Sequence, residues 1–119
     1  MNYFRFEDLE VWQDAVALGV ELFDISDIAE SKKLYRFAEQ LRGSGLSISN
    51  NIAEGSGSYS DKEFANFLNI ARRSVFECAN VVIIFHKRNL IKSDTKQYLL
   101  GELCRLSKRI TTLRKTLIS

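Results

Sequence analysis

The chain has 119 residues, 45% hydrophobic and 27% charged, enough for one folded core and too apolar for a disordered chain. It contains no proline, so no residue type interrupts a long helix by its covalent structure. The net charge of +2 conceals an asymmetry: residues 1–85 hold 8 basic and 13 acidic side chains, residues 86–119 hold 9 basic and 2 acidic.

Residues Met1 to Glu7 are aromatic and charged, without the apolar stretch of a signal peptide. The longest apolar run, Val81 to Phe85, is far shorter than a bilayer requires. A cytoplasmic protein with reduced thiols and no membrane contact is expected, folded as a single domain over residues 1–119.

Apolar residues recur at helical spacing in four blocks. The first helix is expected from about Phe6 to Asp27, with one stripe of Leu9, Trp12, Val16 and Phe23. A second stripe, Val11, Ala15, Leu18, Leu22 and Ile25, runs beside it. The second helix opens near Ser31, carries Leu34, Phe37, Leu41, Ile48 and Ile52, and should stop at Gly55 in a left-handed cap. The following Gly55-Ser56-Gly57-Ser58 lacks the Gly-Lys-Ser/Thr ending of a phosphate loop and follows a helix, so it reads as a turn.

Ser60 and Glu63 form a capping box that starts the third helix. Its seam, Phe64, Leu68, Ala71, Val75, Cys78, Val82 and Phe85, alternates steps of four and three, and Asn89 supplies a left-handed stop. Cys78 on this seam reads as a buried, inert thiol. His86 is the one histidine and Ile83 stands three residues before it, so the Glu-x-x-His pairs of a di-iron bundle are missing. The same shortage removes a Ser–His–Asp or Cys–His nucleophile, and neither catalytic residues, metal nor cofactor is expected.

Asp94 with Gln97 repeats the capping pattern for the fourth helix, whose seam is Leu99, Leu103, Leu106, Ile110, Leu113 and Leu117. Cys104 lies off that seam beside Leu100, where a second interface would sit. Sustained heptads with short connections predict an all-α, antiparallel up-down four-helix bundle.

Two helices carry more apolar surface than one core covers. Both stripes of the first helix together span over half its circumference, at about 100° per residue. Val81 to Phe85 point in every direction around the third. A homo-oligomer is therefore expected, with Val11, Leu18, Leu22, Val81 and Ile84 at its interface.

Between Phe6 and Glu30 there are eight acidic residues and no basic one. The fourth helix mirrors this with Lys96, Arg105, Lys108, Arg109 and Lys115. Two readings stay open. The opposed charges align neighbouring helices or subunits, or the basic stripe grips the phosphates of a nucleic acid without reading bases, since no aromatic side chains are interleaved with it.

Gln40-Leu41-Arg42, Asn51-Ile52-Ala53-Glu54-Gly55, then Ser60, Glu63-Phe64, Phe67-Leu68, Ala71, Ser74 and Glu77 resemble a bacterial family of four-helix bundles. That family is named for proteins encoded in intervening sequences of 23S ribosomal RNA genes. The opening Asp8-Leu9-Glu10-Val11-Trp12 with Ala15 is similar to the family's start, and the resemblance spans essentially the whole chain. It implies a homopentameric ring, no enzymatic activity, and association with RNA or other nucleic acid, because relatives include the accessory variability protein of diversity-generating retroelements. Two positions depart from the pattern: Ser58 stands where an arginine is common, and Arg73 where a glycine is common. The combined expectation is a non-enzymatic, oligomeric, nucleic-acid-associated protein; the alternative is a protein-interaction scaffold.

Overall fold

All four periodic blocks fold as α-helices in a computed structural model that describes residues 2–118. They are α1 (Glu10–Ser31), α2 (Tyr35–Ser56), α3 (Asp61–Lys87) and α4 (Ser93–Ile118). A 3-10 turn at Arg5–Asp8 precedes α1, and the described residues contain no strand. That turn explains the late start of α1, because the Glu7 carboxylate accepts the Phe4 amide at 2.9 Å and holds the entering chain in a tighter coil.

Ser31 ends α1 instead of opening α2. The core-facing stripe continues through Ala29, which is fully buried, so the helix persists as long as burial rewards it. It stops in a Schellman arrangement. The Leu34 amide bonds the Ala29 carbonyl at 2.9 Å while Lys33 adopts φ 64°. The end of α3 repeats the geometry with Leu90 bonded to the Phe85 carbonyl at 2.9 Å and Asn89 at φ 61°. Asn89 is the stop the sequence suggests; Lys33 carries no such signal, since lysine has no local preference for the left-handed region.

The expectation at Gly55 is overturned. No glycine among the described residues has positive φ, and α2 continues past Gly55 to Ser56. Gly55 is buried against α3 and leaves room for Phe64 and Phe67. At the start of α3 the Glu63 amide donates to Ser60 Oγ at 3.1 Å, the Ser60 half of the box. Asp94 lies inside the first turn of α4, where its charge favours the helix dipole; Ser93 already begins the helix.

Helix α1 packs on α2, α2 on α3 and α3 on α4, while α1 and α4 meet only sparsely. The α3 seam is buried along its full length, and on α4 burial covers Leu99, Leu103, Leu106 and Ile110. Leu22, Leu41, Ile48, Ile52 and Phe85 complete the centre. Serine hydroxyls inside the bundle bond back one turn: Ser26 to the Leu22 carbonyl at 2.8 Å and Ser44 to that of Gln40 at 3.0 Å. Among the described residues no buried side-chain polar atom lacks a partner.

The excess apolar surface falls elsewhere than expected. Val11, Leu18, Leu22 and Val81 are buried in the protomer's own core, and Ile84 is half-buried. The stripe that begins at Leu9 and Trp12 is the one left partly outside: its Val16 and Phe23 are exposed, and so is neighbouring Val20, by 59%. A helix packed on one neighbour buries the stripe facing it and must present the other.

Candidate nucleic-acid and subunit interfaces

The charges of α1 and α4 meet where those helices touch. Arg109 binds Glu10 at 2.6 Å and also pairs with Asp14. Tyr98 donates its hydroxyl to Glu21 at 2.9 Å, and that bond pushes the Tyr98 pKa above its ordinary value. Arg105 turns back to Glu102 on its own helix at 2.9 Å. All of these side chains except Glu10 line a cleft of about 210 Å³ between α1 and α4. Polar pairing thus fills the gap that apolar packing leaves between these two helices.

The basic stripe expected on α4 is consequently divided. Arg105 and Arg109 are engaged by carboxylates, whereas Lys108 and Lys115 are exposed without an ion pair among the described residues. Lys96 sits a full helix away from Lys115, half-buried in the first turn of α4. Arg114, which periodicity does not single out, donates to the Ala65 carbonyl at 3.1 Å and pins α4 to α3.

Arg42 is the hub that sequence reading missed. Its guanidinium binds Asp27 at 2.6 Å, Glu30 at 2.8 Å and Glu39 at 3.4 Å, tying the end of α1 to the start of α2. Its pKa is pushed further above the ordinary arginine value by its bonds to Glu30 and then Asp27. Only Glu39, three residues away on the same helix, could have been read as a partner.

Part of the contact between α2 and α3 is made by small polar side chains. Ser47 and Ser74 share a hydrogen bond of 2.9 Å, and Asn51 donates to the Ser47 carbonyl at 2.8 Å. One turn along, Cys78 Sγ donates to Ser44 Oγ at 3.3 Å, and burial pushes the thiol up to about 11. Asn51, Gly55 and Ser74 of the family-like pattern therefore serve this helix contact. Arg73, the departure on α3, is exposed and leaves the protomer's packing untouched.

Two apolar grooves remain. One, about 190 Å³, lies between α1 and α2 and is lined by Val16, Gly19, Val20, Phe23 and Leu46. The other, about 160 Å³, lies between α3 and α4 and is lined by Phe76, Ala79, Leu100 and Cys104. Phe76 is 57% exposed, with Arg72 stacked on its ring 4.7 Å from the centroid. No group of three or more His, Cys, Asp or Glu that could hold a metal occurs among the described residues. No described helix is long and apolar enough to cross a membrane.

Comparison with known proteins places these features in a lineage. A Bacteroides thetaiotaomicron protein of unknown function from the S23 ribosomal protein family is similar in structure, with a TM-score of 0.83. The two share 21% sequence identity, over 88% of this chain and 98% of that one. No curated protein matches this chain. Residues 7–112 match the family described as 23S rRNA-intervening sequence protein, and the chain belongs to that family.

Proposed function

We propose that this chain is a non-enzymatic, antiparallel up-down bundle that assembles head to tail into a closed ring and serves the cytoplasm as a nucleic-acid-associated accessory protein. A pentamer is the ring implied by the family resemblance. The antiparallel reading is supported by the pairing order: partners descend from Glu21 to Asp14 and Glu10 as they ascend from Tyr98 to Arg109.

One observation carries the assembly: the two apolar grooves lie on opposite sides of the protomer. The pair α1/α2 stands across the bundle from the pair α3/α4. A two-fold dimer would cover one groove with its own copy and leave the other in water. A heterologous contact covers both, and closes when the rotation permits. Charge agrees with that pairing: Asp24, one turn on from Val20, and Arg72, stacked on Phe76, are both without an ion pair among the described residues.

Nucleic acid is favoured as the cargo by the surplus of free cations. Of 17 lysines and arginines, only Arg42, Arg105 and Arg109 form ion pairs among the described residues. Light scattering on the eluting protein tests the ring, with a mass near a fivefold multiple of 13.6 kDa expected. Val20→Asp and Phe76→Asp should each reduce that mass with helicity intact. A monomeric wild-type chain would defeat the reading. Filter binding of RNA separates the nucleic-acid role from a protein-interaction scaffold, which would retain none.

A further inference from the structure

We infer that the end of the bundle formed by the α1–α2 and α3–α4 connections is a docking surface for the phosphate backbone of a folded or duplex nucleic acid. This inference rests on the nucleic-acid reading above and moves its site from the α4 face to the bundle end.

Residues 31–36 and 86–96 contain Lys32, Lys33, Arg36, Lys87, Arg88 and Lys92, joined by Lys96, against a single carboxylate, Asp94. The two segments share one end of the molecule. Phe37 and Phe85 meet edge to face at 6.4 Å, and Ile25 and Ile28 of α1 line a groove with His86, Asn89 and Thr95. None of the seven cations forms an ion pair among the described residues, and all but half-buried Lys96 are exposed. The carboxylates at hand on α1 and α2, Asp27, Glu30 and Glu39, are already held by Arg42.

Helix dipoles explain only some of these charges. Lys32, Lys33, Lys87 and Arg88 follow or close helix C-termini, where cations are favourable. Arg36, Lys92 and Lys96 flank the N-termini of α2 and α4, where the dipole opposes a cation and the free amides attract an anion. Placing cations there costs stability unless an anion arrives. The opposite end, where Arg5 reaches the Ser56 carbonyl, is mixed in sign: Glu7, Asp8, Glu54, Asp61 and Glu63 share it with Lys62, Arg114 and Lys115. In a ring every copy points its basic end the same way, so one face of the assembly becomes basic.

A phosphate backbone suits this surface better than a lipid surface does. Leu34 and Leu90 are half-buried and Ile91 is buried, which leaves Tyr35, 58% exposed and ending in a hydroxyl, as the large side chain at the surface of these segments, too little apolar area to anchor a bilayer contact. With Tyr35 a lone exposed aromatic among seven cations, the contact would be largely independent of base sequence and strongly salt-dependent.

The test measures binding of a labelled RNA hairpin to the full chain at about 50 and 200 mM salt. Lys87→Glu, Arg88→Glu and Lys92→Glu are combined in one variant, with Lys108→Glu and Lys115→Glu combined in another. The first should weaken binding at least about tenfold and flatten the salt dependence by about one unit of log–log slope for each phosphate no longer neutralised. The second should leave both within about twofold. The corresponding glutamine variants carry the same comparison if charge reversal perturbs folding. Scattering mass on the same samples keeps assembly separate: a monomer that still binds through these residues overturns the ring alone. Equal binding by wild type and the first variant overturns the inference, as does weakening confined to the second, which would leave the nucleic-acid reading intact. No RNA binding by wild type overturns both, and preference for anionic phosphatidylserine vesicles would assign the surface to a membrane instead.

Discussion

A β-carbon on Gly55 would lie 2.6 Å from Cβ of Phe67 and 2.9 Å from Cδ1 of Phe64, closer than side chains tolerate. The last turn of α2 is pressed against the first turns of α3 at this point. Gly55→Ala should therefore destabilise the fold by about 1–3 kcal/mol, outweighing alanine's better helix propensity. Gly43 lies exposed in the same helix with nothing within 4 Å of its β-position. Gly43→Ala should stabilise by up to about 1 kcal/mol. Urea unfolding of the two variants decides the matter, and matching signs would refute the crowding argument.

Lys33 holds a left-handed conformation, φ 64°, at the stop of α1. For a residue with a β-carbon that conformation costs roughly 1–2 kcal/mol, and glycine removes the cost while adding chain entropy to the unfolded state. Lys33→Gly is expected to raise stability by about 1 kcal/mol net. A lower denaturant midpoint would show that the lysine stem packs favourably enough to offset its backbone.

The Cys78 thiol is raised from 9.0 to about 11, first by burial and then against the lowering effect of Ser44. The folded state holds this proton more tightly than the unfolded one. Its contribution is complete below pH 9.0 and declines as pH climbs to about 11. The decline is on the order of 2–3 kcal/mol, and Cys78→Ala should flatten that part of the stability profile. Titration with a thiol reagent at neutral pH should find Cys78 protected until the chain unfolds, and Cys104, exposed on the protomer, shielded only where the assembly covers the α3/α4 groove.

Arg109 spans the sparse α1–α4 contact to reach Glu10 and Asp14. Arg109→Ala should cost about 1 kcal/mol at low ionic strength, with the difference shrinking as salt is added. It should leave RNA retention unchanged. A large drop in retention with stability preserved would return Arg109 to the nucleic-acid surface.

Much of the fold was legible because heptad spacing dictates it locally. The α3 and α4 seams, the Ser60 cap and the Asn89 stop each depend on residues within one or two turns of one another. The family pattern was equally readable, since it is written in consecutive residues such as Asn51 to Gly55. Helix limits were less so: α1 ends at Ser31 because burial of Ala29 extends it, and Lys33 closes it without any sequence signal.

Periodicity by itself determined that this chain would form four amphipathic helices with apolar surface to spare, because a side chain's position around a helix depends only on its number. Tertiary structure decided which of two stripes on α1 faced the core, and so moved the spare surface from Val11 and Leu22 to Val16, Val20 and Phe23. It also decided which charges stayed free. Apart from Glu39 on Arg42's own helix, Arg42 and Arg109 find their carboxylates 12 and more residues away in sequence, across helix pairs, and the cations of the two connections find none among the described residues. Charge pairing depends on distance in space, and the order of residues along a chain does not specify that until the helices are packed.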